Sequence, residues 1–149
     1  MSNKNIFEFL EKYFSEHRNY AAGPVPNTEI EMSEQKLQVK FSESYKKFLS
    51  LYGGALLEES SIYGLRKEEM MGDDNWSVTQ LTLYYRNQKY PGTENWYIVS
   101  DDFSGNPFGV DPDGKVWLSD HDTGEIIQVA ETFEDFLYKL YTDTLWEDD

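Results

Sequence analysis

Apolar positions recur at helical spacing in several stretches of this chain. Ile6, Phe7, Phe9, Leu10, Tyr13 and Phe14 predict an amphipathic helix over residues 3–16, and Ala21-Ala22-Gly23-Pro24-Val25-Pro26 ends it. Thr28-Glu29-Ile30-Glu31 has the form of a capping box and predicts a second helix to about Val39. Tyr45, Phe48, Leu49 and Tyr52 stand at i, i+3, i+4 and i+7, behind Ser42 as an N-cap. Gly53-Gly54 then supplies the left-handed C-terminal position, where Asn should be tolerated better than Ala. Near the end, Thr132 opens a helix whose apolar face is Phe133, Phe136, Leu137, Leu140 and Tyr141.

Between Pro91-Gly92 and that last helix the pattern is β. Trp96–Ser100, Pro107–Asp111, Val116–Ser119 and Ile126–Ala130 predict short strands. Asp111-Pro112-Asp113-Gly114 and Asp122-Thr123-Gly124-Glu125 predict tight turns, so the strands they join are antiparallel neighbours. Ile62-Tyr63-Gly64-Leu65 predicts another short strand. Val78–Tyr85 is rich in β-branched and aromatic residues, yet Val78, Leu81 and Tyr85 also fit a helix; periodicity leaves both open. Helices, then strands, then a closing helix predict one α+β domain over residues 1–149, ending in a frayed acidic Glu147-Asp148-Asp149. Its expected core includes Tyr45, Phe48, Leu49, Trp96, Val116, Phe133, Phe136 and Leu140.

Composition narrows the function. The 28 Asp and Glu against 13 Lys and Arg give a net charge of −15, which repels phosphate backbones and disfavours direct nucleic-acid binding. The charge is one-sided. Seven basic residues balance seven acidic ones in residues 1–50, whereas residues 101–149 set two lysines against 14 carboxylates. Such a field steers a basic partner toward the chain. The absence of cysteine removes disulfides, thiolate nucleophiles and Cys-ligated metals. Trp96-Tyr97-Ile98-Val99 is far shorter than the ~20 residues of a membrane span, and Glu8 and Glu11 interrupt any signal-type apolar core. A soluble cytoplasmic protein with no membrane contact is expected.

Candidate chemistry is sparse. Asp122-Thr123-Gly124 matches the aspartic-protease tripeptide, but one copy behind Ser119-Asp120-His121 suits a polar turn better. Aligning Gly114 with the glycine of a calcium loop puts Gly109 at position 1 and Asp120 at position 12, where Asp and Glu are needed. Asp120-His121-Asp122 could orient a general base, yet no nucleophile motif accompanies it. The reading is a non-enzyme without catalytic residues, cofactor or metal.

Several blocks, in order, resemble one family. Phe41-Ser42-Glu43-Ser44-Tyr45-Lys46-Lys47-Phe48-Leu49 is similar to the helix-opening segment of the SUKH superfamily, the Smi/Knr-like domains. Tyr52-Gly53-Gly54 and Ile62-Tyr63-Gly64-Leu65 resemble its next elements. Gly105-Asn106-Pro107-Phe108, with Asp111 and Gly114-Lys115-Val116, resembles its hairpin, and Ala130-Glu131-Thr132-Phe133-Glu134-Asp135-Phe136-Leu137 its closing helix. The resemblance spans about residues 28–141. Ser42 stands where the family usually has Pro and Gly53 where Asn is common, and both exchanges are conservative at a helix cap.

The resemblance implies a mostly antiparallel sheet backed by helices, and favours helix for Val78–Tyr85. It also implies an immunity protein, an antitoxin that neutralises a cognate polymorphic toxin, here expected to be a basic nuclease domain. The alternative it leaves is a regulatory or scaffold adaptor of the same fold. The expected partner-binding residues are the turn carboxylates Asp73, Asp74, Asp101, Asp102, Asp122 and Glu125, with Trp76 as an aromatic anchor.

Overall fold

Where three glycine-containing segments meet, the backbone packs against itself without intervening side chains. A computed structural model describes residues 5–66 and 77–147. Among these, the helices are α1 (Ile6–Glu16), α2 (Asn27–Leu37), α3 (Glu43–Leu51), α4 (Val78–Asn87) and α5 (Phe133–Thr142). The strands are β1 (Ala55–Leu57) and β2 (Ser60–Ile62), which form a hairpin, and β3 (Tyr97–Asp101), β4 (Pro107–Val110), β5 (Val116–Asp120) and β6 (Glu125–Ala130). The last four form one antiparallel sheet in the order β3-β4-β5-β6, which makes the molecule an α+β domain.

Ser42 caps α3 by accepting the Tyr45 N–H. At the other end Gly53 has φ 72°, the left-handed conformation predicted for it. Its carbonyl accepts both the Leu65 and Arg66 N–H groups, at 2.7 and 2.8 Å. The Gly23 N–H reaches Tyr52 O and the Ala22 N–H reaches Gly54 O, at 2.7 and 2.8 Å. A Cβ on Gly53 would strike the Gly23 carbonyl, and one on Gly64 would strike the Gly53 carbonyl. The expected preference for Asn over Ala at Gly53 is therefore overturned: space, not only φ, excludes a side chain.

The sheet is packed on both faces. Tyr97, Val99, Phe108, Val110, Val116 and Leu118 join the large cluster with residues of α1, α3 and α5. On the opposite face Ile98 and Trp96 meet Leu81 and Tyr85 of α4, with Trp117 half-buried beside them. Val78–Tyr85 is helical. Ser77 caps it through Gln80 N–H, and Val78, Leu81, Thr82 and Tyr85 are buried on one side. Thr82 Oγ1 also accepts the Ile98 N–H at 2.8 Å, which closes an outward backbone donor of β3. Arg86 completes the junction by donating to Leu37 O, Thr93 O and Trp96 O.

Other expectations need correction. The capping box does not form: α2 begins at Asn27 behind Pro26, and the Asn27 side-chain amide takes Glu31. The strand expected at Ile62–Leu65 is shifted to Ser60–Ile62 and pairs with β1, which sequence patterning did not predict. Leu140 is only half-buried, whereas the other seven expected core residues are buried. Phe9, placed on the apolar face of the first helix, is 44% exposed and pairs instead with Tyr141 at the surface.

Phe48 and Phe136 are almost fully enclosed. Replacing either with Ala should lower unfolding free energy by about 3–5 kcal/mol in urea titrations, against about 1–2 for Leu140→Ala. At the crossing, Gly53→Ala and Gly53→Asn should each cost about 2–4 kcal/mol. Gly105→Asn, whose Cβ would meet open space, should cost only the strain of its φ of 86°, about 1 kcal/mol. Rescue of Gly53 by Asn would refute the clash.

Candidate partner-binding surface

Strand direction decides which turns share an end of the sheet. β3 and β5 run the same way, so the β3–β4 turn (102–106) and the β5–β6 turn (121–124) emerge together. The His121 N–H and Asn106 Oδ1, 3.4 Å apart, tie them. Asp101, Asp102, Asp122 and Glu125 thus gather at one end, whereas Asp73, Asp74 and Trp76 lie outside the described residues.

The four carboxylates are not equivalent. Asp101 is half-buried and accepts the Tyr63 hydroxyl on Oδ2 at 2.9 Å. Burial raises its pKa, and the Tyr63 hydrogen bond offsets only part of that rise. The same carboxylate, added to burial, pushes the Tyr85 phenol up to about 12. Asp102 is consumed by its own turn: Oδ1 accepts the Ser104 and Asn106 N–H groups, and Oδ2 accepts the Asn106 side-chain amide. Asp122 and Glu125 are exposed. These two are the ones of the four most open to solvent.

Among the described residues, no carboxylate of Asp120-His121-Asp122 is hydrogen-bonded to the imidazole. Asp120 Oδ1 accepts the Asp122 and Thr123 N–H groups. The imidazole stacks on Tyr90 at 4.9 Å, and its Nδ1 is 3.7 Å from Asp122, beyond a hydrogen bond. Asp122-Thr123-Gly124 is the β5–β6 turn. Asp111 is likewise structural, accepting Asp113 N–H, Lys115 N–H and the Trp117 indole N–H.

Beside the acidic end lies a groove of about 520 Å³ between the β1–β2 turn, the β3–β4 turn and the end of α5. Glu58, Glu59 and Asp143 stand on its rim, and Phe103, Tyr141 and Trp146 supply aromatic surface. Sequence reasoning missed it because its parts lie up to about 90 residues apart; an exposed Phe at a turn tip was the one local signal. A second depression of about 810 Å³ lies between α2 and the β4–β5 turn. Its acids are engaged internally: Glu31 with Asn27, Glu34 with Phe41 N–H and Lys46, Asp111 with its turn.

The Asp101 pair makes a signed prediction. Asp101→Ala strands the Tyr63 hydroxyl and should cost about 1–3 kcal/mol. Asp101→Asn keeps an acceptor and removes a buried charge, so at pH 7 it should be at least as stable as the parent. Because the folded-state pKa of Asp101 is raised, the ionised form carries a penalty above that pKa. The penalty fades as pH falls through it toward about 4. The Asn variant's advantage, read from thermal melts, should shrink over that range; an advantage growing toward acid would contradict the burial effect.

Among the described residues, no helix is long and apolar enough to cross a membrane. Comparison with curated proteins found no match to the chain. The SMI1 / KNR4 family (SUKH-1) matches residues 24–139. That range contains Gly53 and Gly64 of the crossing, the Ser42-capped helix, both sheets and most of α5. The chain belongs to the SMI1 / KNR4 family (SUKH-1).

Proposed function

We propose that this protein is an immunity protein that binds a cognate nuclease toxin and blocks its basic nucleic-acid-binding site with an acidic surface. The observation that carries the reading is the collection of unspent carboxylates, Asp122 and Glu125, at one end of the sheet of a strongly acidic chain. Membership of the SUKH-1 family is compatible with that role. Carboxylates at that end can pair with the Lys and Arg side chains that would otherwise hold phosphates, and their field speeds encounter. Inhibition then needs no chemistry by this chain, and the site is occupied without cofactor or metal. Asp73, Asp74 and Trp76 are proposed as further contacts on the strength of the sequence alone, with Asp101 and Asp102 acting as supports for the turn.

The test is co-expression with any toxin domain that a neighbouring gene encodes. Cells should survive the toxin only when this protein is present, and the purified pair should associate with a steep salt dependence. Asp122→Lys with Glu125→Lys should slow association at least about tenfold at low salt, with little change in thermal stability. Association insensitive to both salt and charge reversal would argue for an adaptor. Failure to protect against the adjacent toxin would sink the immunity reading.

A further inference from the structure

The groove beside the acidic end combines two features that rarely share a surface without a reason. Phe103 is 85% exposed and Trp146 is 61% exposed, although the chain buries most of its other aromatic rings. Neither ring is on a loose tip. Phe103 follows Asp102, whose carboxylate receives the Ser104 and Asn106 N–H groups and closes the turn. Trp146 lies against the buried Phe108, with ring centroids 6.3 Å apart.

The rim is acidic and unneutralised. Among the described residues, no cation lies within salt-bridge distance of Glu58, Glu59 or Asp143. Lys139, which also lines the groove, is already engaged by Val129 O at 3.1 Å and Asp135 at 3.6 Å. A purely apolar occupant would bury these carboxylates unpaired, and an anionic one, nucleic acid or lipid headgroup, would be repelled. A side chain with an apolar stem and a cationic head satisfies both features.

We propose that this groove anchors an arginine- or lysine-bearing segment of the protein partner. The stem packs against Phe103 and Trp146, and the cation lies among Glu58, Glu59 and Asp143. This rests on the reading of the protein as a binder of a basic toxin and assigns that toxin's anchoring contact. Glu58 allows a clean test. It sits at φ 54° in the two-residue β1–β2 turn, a conformation that glycine adopts without strain. Glu58→Gly therefore removes a rim carboxylate while relieving the backbone, so weakened binding cannot be ascribed to unfolding.

The probe is a hexa-arginine peptide, with hexa-glutamate as control, followed by NMR on the full chain. Hexa-arginine should shift the Trp146 indole N–H more than those of Trp96 and Trp117, and hexa-glutamate should shift none. Glu58→Gly should raise the melting temperature yet weaken the peptide at least fivefold, as should Phe103→Ala. Glu8→Gln with Glu11→Gln on α1 should leave affinity unchanged. Against the toxin, Glu58→Gly with Phe103→Ala should speed dissociation at least tenfold.

Uniform shifts over the surface, or unchanged affinity in the groove variants, would overturn the proposal. So would groove variants that lose the peptide but bind the toxin as the parent does, and the immunity reading would then stand. Groove binding as described, in a chain that protects against no toxin, would remove the immunity reading and leave the cation site supported.

Discussion

Three backbone segments cross at Gly23, Gly53 and Gly64, with no room for a Cβ on Gly53 or Gly64, and the rest of the molecule is hung on that contact. The Gly53 carbonyl receives two N–H groups from the strand-like segment after β2, while Gly23 and Ala22 bond to the residues around it. The end of α3, the approach to α2 and the run from β2 toward α4 are thereby fixed in one place. The Gly64 carbonyl accepts the Val78 N–H and so positions the first turn of α4. Arg66, one step past the crossing, forks onto Glu29 in the first turn of α2 at 2.7 and 3.0 Å.

From this junction a line of hydrogen bonds reaches the acidic end. Tyr45, fully buried in α3, donates to Tyr63 O; the Tyr63 N–H bonds Val99 O; the Tyr63 hydroxyl ends on Asp101. The Ser100 hydroxyl adds a bond to Ser61 O. The outer side of β3 is thus closed by the segment after β1, and its last residue is held as a half-buried acid. The surface that meets solvent at this end stands on polar groups that are themselves satisfied, which keeps the turns in one arrangement.

Much of this was legible in the sequence because local chemistry and tertiary packing agree there. Ser42, Thr132 and the period of Tyr45, Phe48 and Leu49 place α3 and α5 without reference to the rest of the chain. The four strands after Pro91-Gly92 follow from their turns. What escaped depends on long-range partners. The β1–β2 turn, Glu58-Glu59, carries none of the usual turn residues and is held by the Tyr13 hydroxyl on Glu58 N–H, 45 residues away. Val78–Tyr85 could not be settled by period, and the Thr82 hydroxyl on β3 favours helix. Asp101 read as an exposed turn acid because nothing local announces Tyr63. Gly53 looked like a helix C-cap and Gly64 like a strand residue, whereas their packing against carbonyls of remote segments is visible only in three dimensions.

A charge count also overstates what a partner can meet. The carboxylates divide into two populations that sequence cannot separate. Asp102, Asp111 and Asp120 each accept backbone N–H groups of their own turns, so they shape the loops and have fewer lone pairs to offer. Among the described residues, Glu58, Glu59, Glu125 and Asp143 have no such employment, and Asp122 lies 3.7 Å from the His121 imidazole. Charge of the first kind is tied to folding: removing it opens a turn. Charge of the second kind opposes folding slightly through self-repulsion and has no structural return among the described residues. Its placement beside two exposed aromatic rings, and at a glutamate held in a glycine-like backbone conformation, fits the binding surface proposed above.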